Sequence, residues 1–343
     1  MNRLRYSTFG KTGCRVSLLG FGAMNLPDVP FEQAAAALNC ALDLGVNYID
    51  TAAAYRNSEE IIGAAISHRR DEFFLATKTA KRDYRSAKTE IEQSLRRLKT
   101  DHIDLLQIHY VNRPEEFRQA TSEGGAYQAA LEMKEKGYVR FIGITGHRPE
   151  LLARWAETGL FDQVLFHLSL VQPFAGRDLL PTLVRLNLGR VAMKPLSGGF
   201  VKPAELALWY AAAQDVHVVI SGMKSVEEVE FNVKAVERPV DESERRELDA
   251  LAEELGAHGC RRCNYCSCPV GIKIPDIMIS SISRERLGLL PNGIGFYRQQ
   301  SDKIAMCETH EPCRTAPLCE PLCPYRLPIR QIVRASAGFV SVG

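Results

Sequence analysis

The sequence has almost no excess charge, no long apolar run and, over its first 259 residues, almost no cysteine. A formal net charge of +2 over 343 residues supplies neither a basic footprint for nucleic acid nor an acidic tail. No stretch approaches the roughly 20 consecutive apolar residues of a membrane span, and Met1-Asn2-Arg3-Leu4-Arg5-Tyr6 is not followed by a signal-peptide core. Nucleic acid and membrane are therefore not expected as partners, and the cytoplasm is the expected location. Cys14 and Cys40 stand alone early in the chain, whereas eight cysteines crowd between Cys260 and Cys323. In a reducing compartment such a cluster points to metal or iron–sulfur ligation ahead of disulfides.

What is present is ordinary globular material, 45% apolar and 24% charged, enough for one large domain and a small one, or two medium ones. Residues 6 to 20 read as a hairpin turning at Gly10-Lys11-Thr12-Gly13. From Val16 onward, short apolar runs alternate with helical patterns. Strands are expected at 16–21, 47–50, 73–78, 105–109, 141–145, 164–168, 191–194 and 216–220. Helices are expected at 31–44, from Ser58, around Ile91 to Leu98, and near 149–158, 179–187 and 202–214, with a long loop from Tyr110 to about Gly125. Eight strand–helix units predict a parallel, closed (β/α)8 TIM barrel. A further helix, 241–255, is expected to pack on the barrel and close a first domain of residues 1–257, followed by a Cys-rich domain of 258–343.

Three successive strands end in ionisable groups, at Asp50, Lys78 and His109, and Tyr55 follows the first of them. Residues at strand C-termini share one rim of a barrel. A tyrosine, with a pKa near 10, needs a neighbouring cation to stabilise its phenolate near neutrality, and a carboxylate behind that cation fixes its position. A nearby histidine can orient a carbonyl oxygen. Each residue alone reads as a solvated or hydrogen-bonded side chain; the set of four reads as a site.

Asp50-Thr51-Ala52 with Tyr55, Ser58 and Glu59, then Ala76-Thr77-Lys78 and Gln107-Ile108-His109, resemble the motifs of the aldo-keto reductases. The resemblance runs over roughly residues 4 to 237. It includes Gly20-Phe21-Gly22-Ala23-Met24, Met193-Lys194-Pro195-Leu196 and Gly198-Gly199. It implies Tyr55 as proton donor, Lys78 and Asp50 tuning it, His109 orienting a carbonyl or alcohol substrate, and NAD(H) or NADP(H) as hydride carrier. Cofactor contacts are expected from Gly22, Met24, Thr145, His147, Lys194, Leu196, Gly198, Ser221, Gly222, Lys224, Ser225, Glu228 and Asn232. The Ser225-to-Glu228 stretch is a capping box, and loops after the seventh and eighth strands commonly bind phosphate. Where similar NADPH enzymes often carry arginine four residues before Asn232, this chain has Glu228, which would repel a 2′-phosphate and favours NADH. Glu228 reads equally as a plain helix cap. Relatives hold the nicotinamide amide with a Ser-Asn pair and a strand-six Gln; Thr145-Gly146-His147 and Leu165 occupy those positions here, and Leu165 cannot hydrogen-bond.

The run Cys260-x2-Cys263-x2-Cys266 followed by Cys268-Pro269, and later Cys319-x3-Cys323-Pro324, resembles the ferredoxin-like domain of one branch of the aldo-keto reductases. By the cross-ligation of two-cluster ferredoxins, Cys260, Cys263 and Cys266 would share a 4Fe–4S cluster with Cys323, and Cys307, Cys313 and Cys319 one with Cys268. Gly271-Ile272-Lys273-Ile274-Pro275 and Tyr325-Arg326-Leu327-Pro328-Ile329 follow the two Cys-Pro steps in parallel, the mark of an internal duplication. The first run is one residue short and the second has five-residue gaps, so one or two clusters are expected, with structural zinc and disulfides as rival readings. Nicotinamide transfers two electrons as hydride and a cubane cluster one at a time, so direct exchange between them is awkward. Three functions compete: a hydride-transferring oxidoreductase, an electron-transfer protein whose barrel docks a redox-protein partner or an unusual substrate, and a redox or oxygen sensor.

Overall fold

Alternation of short apolar runs with amphipathic helices is realised as a closed barrel. The computed structural model describes residues 4–257, 259–286 and 291–337. The chain ends and position 258, where the domain boundary was expected, lie outside them. A hairpin, β1 (Tyr6–Thr8) with β2 (Arg15–Ser17), precedes eight parallel strands. These are β3 (Leu19–Gly22), β4 (Tyr48–Asp50), β5 (Phe74–Thr79), β6 (Ile103–Ile108), β7 (Val139–Gly146), β8 (Gln163–His167), β9 (Gly189–Met193) and β10 (Val218–Gly222). Each pairs with its neighbour in sequence, and β10 closes on β3. This is the expected (β/α)8 architecture.

Two details differ from the sequence reading. Val16 pairs in the hairpin, so the first barrel strand begins at Leu19. The segment 110–125 also contains a helix, Pro114–Thr121. Its apolar stripe is thin, which hides it from periodicity. It is set by Pro114 in the first turn and by the Glu116 carboxylate, which accepts from the backbone of Asn112 at 2.8 Å and Arg113 at 3.1 Å.

Side chains alternate along each strand, so one residue in two faces the barrel interior. Phe9 plugs that interior edge-on against Tyr48 and Phe74, and Ala76, Leu105, Leu165, Val191, Val218 and Ile220 fill it. Two residues further along the same faces the character changes. Tyr48 gives way to Asp50, Ala76 to Lys78 and Leu105 to Gln107. The dry core thus carries a polar layer at the C-terminal ends of its strands.

The chain clusters into two compact units. The first comprises Met1–Leu168, Phe174–Pro195 and Leu208–Asp241, and the second Ser169–Pro173, Leu196–Ala207 and Glu242–Gly343. The helix Glu242–Gly256 thereby clusters with the tail. The second unit repeats itself at an interval of 55 residues. Gly271 N donates to Cys268 O at 3.0 Å and Arg326 N to Cys323 O at 3.1 Å, with Gly271 and Arg326 both left-handed at φ 78° and 52°. Helices Ile274–Arg286 and Ile329–Ala335 then start at matching positions and pack together.

Candidate active site

The interior face of β5 runs Phe74, Ala76, Lys78, so the strand's own periodicity sends an ammonium into the barrel mouth. Lys78 Nζ lies 2.5 Å from Asp50 Oδ1 and 2.6 Å from Thr51 O, with 1% of its side chain exposed. The other Asp50 oxygen accepts from Gln107 Nε2 at 3.0 Å. The turn after β4 is pinned to β5 by Thr51 N to Ala76 O at 2.9 Å and Ala53 N to Lys78 O at 3.1 Å. This brings Tyr55 back over Lys78, with Nζ 4.9 Å from the ring centre. The His109 ring stands edge-on to Tyr55 at 5.7 Å. All four expected catalytic residues therefore meet.

Ser58 and Glu59 brace them from the helix Ser58–Ile66. Ser58 Oγ reaches Thr51 Oγ1 at 2.9 Å and Ala23 O at 2.8 Å. The buried Glu59 carboxylate accepts from Thr77 Oγ1 at 2.7 Å and Arg97 Nη1 at 3.0 Å.

Electrostatically, burial pulls the Lys78 ammonium down, and Asp50 and Tyr55 more than restore it, so its pKa sits above the ordinary lysine value. Burial likewise lifts the Tyr55 phenol, and Lys78 offsets only part of that rise. The expected acidified phenol is thus corrected by desolvation: Tyr55 is held protonated. Burial, with Lys78, Arg82, His147 and Lys194 nearby, lowers His109 to about 2, so its imidazole is neutral. The group combines a loaded proton donor, a fixed cation able to accept phenolate charge, and a neutral ring able to donate one N–H.

The residues expected to hold the cofactor are placed as follows. Gly22 ends β3, where a Cβ would come within 2.9 Å of Ile220 and 3.0 Å of Ser221 O; close strand packing alone accounts for the glycine. Met24 is 53% exposed. Thr145 Oγ1 accepts from Tyr110 N at 2.8 Å and His147 N donates to Asn112 Oδ1 at 2.7 Å, so both order the Tyr110–Asn112 turn. The rings of His147 and His167 lie 4.0 Å apart. Lys194 follows β9 with φ 57°. Asn232 Nδ2 donates to the buried Ser221 Oγ at 3.1 Å, and Gly222 ends β10. Ser225 caps the helix Val226–Glu237 by accepting from Glu228 N, and the Glu228 carboxylate accepts from Lys224 N at 2.9 Å. Leu196 and Gly198 belong to the second unit.

The sequence reading missed one residue of this site and one amide deeper in the barrel, at the N-terminal end of β8. Gln107 steadies Asp50; its signal was its place on the face shared by Leu105. Gln163 is fully buried, and among the described residues neither atom of its carboxamide has a hydrogen-bond partner. It precedes Leu165 by two residues on the same face of β8, and Leu165 itself is core.

In the second unit the eight cysteines line two cavities. One is bounded by Cys260, Cys263, Cys266 and Cys323, the other by Cys268, Cys307, Cys313 and Cys319, and Ile274 and Ile329 border both. Burial pushes Cys260 and Cys319 up to about 12 and Cys266 to about 11. Among the described residues no group of three or more His, Cys, Asp or Glu converges on a single metal ion, and no helix is long and apolar enough to cross a membrane.

Comparison with known proteins agrees with the barrel. Residues 18–204 match the model of the aldo/keto reductase family, and that match ends before the Cys-rich tail. The chain is 30% identical over 220 residues to the uncharacterized oxidoreductase YqkF of Bacillus subtilis, covering 60% of this chain and 69% of the relative. It is 28% identical over 310 residues to L-galactose dehydrogenase of Arabidopsis thaliana, covering 74% and 96%. Among solved structures, the holo form of aldo-keto reductase AKR11C1 from Bacillus halodurans superposes with a TM-score of 0.65 at 26% identity, covering 73% of this chain and 96% of that one. With over half its length matched by the family model and its tetrad assembled at one barrel rim, this chain belongs to the aldo/keto reductase family.

Proposed function

We propose that this oxidoreductase moves hydride between NAD(P)H and a carbonyl or alcohol substrate, with Tyr55 as the acid–base. The carrying observation is the buried Lys78, clasped by Asp50 and Thr51 O, with its ammonium 4.9 Å from the centre of the Tyr55 ring. In the reducing direction Tyr55 donates its proton to the substrate oxygen, and the charge left on the phenolate falls beside Lys78. His109, neutral and beside Tyr55, directs an N–H at the same oxygen. A neutral donor suits a carbonyl, whereas an imidazolium would compete as the acid.

The bound nicotinamide supplies the hydride. One feature fits it: the capped N-terminus of Val226–Glu237, which favours an anion. Glu228 at that terminus would repel a 2′-phosphate, so NADH is the favoured form.

The tail fits two 4Fe–4S clusters, which would supply one-electron transfer. The two four-cysteine cavities support this reading, since each gathers three cysteines from one run and one from the other. Cluster ligands bind four separate irons and need not converge on one point, as zinc ligands must.

The test is turnover by anaerobically purified protein against a panel of aldehydes and secondary alcohols. Tyr55→Phe is expected to lose at least about a thousandfold in kcat/KM while binding NADH as the parent does. A Tyr55→Phe protein within tenfold of the parent would remove Tyr55 from the chemistry.

A further inference from the structure

Among its described residues, the second unit exposes three large apolar side chains, and all three stand beside cysteines. Met306 precedes Cys307, Leu318 precedes Cys319 and Leu322 precedes Cys323, with exposures of 47%, 46% and 46%. Two of them share one strap. Residues 318–324 run from Cys319, which lines the cavity of Cys268, to Cys323, which lines the cavity of Cys260. Between and beside those cysteines, Leu318, Pro321, Leu322 and Pro324 are exposed. The acid in the strap, Glu320, is engaged with backbone: its carboxylate accepts from Arg330 N at 2.9 Å, and its carbonyl accepts from Cys323 N at 3.0 Å. One exposed leucine is ordinary; four exposed apolar residues on one seven-residue strap make a patch.

The charge around this patch is positive. From Gly259 to the last residue the sequence carries eleven Lys and Arg against six Asp and Glu, in a chain whose net charge is only +2. Arg330 lines the cavity of Cys268, and its Nη2 donates to Arg314 O at 3.2 Å. Arg314 follows Cys313, pairs with Glu311 and leaves 61% of its side chain exposed. Arg326, three residues after Cys323, is exposed as well.

We infer that the strap 318–324, with Met306 and the arginines beside it, is the docking face for an acidic protein that carries single electrons. The inference rests on the reading above, in which the two cavities hold clusters. A small apolar centre among positive charges suits a brief, electrostatically guided encounter with an acidic surface. Nicotinamide gives up two electrons together, so a separate one-electron carrier is the chemistry that matches the tail. Each encounter oxidises the carrier by one electron and reduces the tail by one, with no bond made or broken and no proton moved. A second copy of this chain, meeting the first strap to strap, would bring the same positive charge, which opposes its docking here.

The experiment measures binding of anaerobically purified full-length protein, by surface plasmon resonance, to an immobilised plant-type ferredoxin and a flavodoxin, each of net negative charge. A c-type cytochrome of net positive charge serves as the control surface, and iron and sulfide are counted in every sample. Kd for the acidic carriers is expected to rise about tenfold or more between about 20 and 300 mM salt. The double variant Leu318→Glu, Leu322→Glu is expected to weaken binding about tenfold and Arg314→Glu about fivefold, with iron and sulfide unchanged. Loaded protein that ignores both acidic carriers, or binds the cytochrome equally well, overturns the inference, as does a loaded double variant that binds as the parent does. Should the double variant fail to load iron, Arg314→Glu decides: a Kd equal to the parent's overturns the docking face. Concentration-dependent dimerisation of the parent that these substitutions abolish would assign the face to a second copy and overturn the inference. A parent without iron and sulfide contradicts the cluster reading itself, a result distinct from loaded protein that docks no carrier.

Discussion

A lysine with 1% of its side chain exposed is tolerable only because Asp50 and the Thr51 carbonyl complete its surroundings. Removing one partner of such a buried pair leaves an uncompensated charge, at a cost of roughly 3–5 kcal/mol. Lys78→Ala should therefore lower stability by that amount as well as turnover. Denaturant melts read the first effect, and a loss below about 1 kcal/mol would contradict the burial. The histidines give a pH signature. His109 and His217, lowered by burial to about 2 and about 4, bind fewer protons folded than unfolded below pH 6.5. The stability they allow is complete above pH 6.5 and drains as pH falls toward 4 for His217 and toward 2 for His109. His109→Gln, which cannot protonate, should flatten the stability curve between pH 6 and 4; a slope equal to the parent's would show that His109 is not desolvated. Asp50, Lys78 and His109 were legible because each closes an apolar strand with an ionisable group. Gln107 and Gln163 were not, since an interior amide looks like any other polar residue until the register shows which face it occupies.

Among the elements, the helix Ser58–Ile66 matters most to the site, since it carries both Ser58 and Glu59. It lies so close to the helix Tyr84–Leu98 that a Cβ on Gly63 would overlap Arg97 O. Backbone cannot yield as a side chain can, so Gly63→Ala should cost about 1–3 kcal/mol and loosen Glu59 from Thr77 and Arg97. A shift in melting temperature measures this, and an unchanged melt would mean that the two helices part freely. The barrel strands were readable because β5 and β6 are buried along their whole length and carry short apolar stretches, Phe73 to Ala76 and Leu105 with Leu106, between helical patterns. The helix Pro114–Thr121 escaped because it buries only Ala120, and its stability comes from Pro114 and Glu116.

At the scale of the whole molecule, an aldo/keto reductase barrel and a cysteine-rich tail share one chain. The tail's duplication was visible in its two Cys-Pro steps. The recruitment of Ser169–Pro173 and Leu196–Ala207 into the second unit was not, because no local pattern records contacts such as Gln172 with Cys260 and Ser197 with Arg262, 88 and 65 positions apart. Two cavities of four cysteines should yield about eight irons and eight labile sulfides per chain, and Cys268→Ala should remove about half. Zinc without sulfide would contradict the cluster reading and leave the barrel chemistry untouched. That chemistry is tested most directly by following the hydride itself. Protein mixed with NADH deuterated at the transferring position of the nicotinamide ring and an activated aromatic aldehyde should place deuterium on the carbinol carbon, and Tyr55→Phe should bind the same cofactor yet place almost none. Transfer by Tyr55→Phe at the parent's rate, or an alcohol product without deuterium, would contradict a phenol and a bound nicotinamide working together at the barrel mouth.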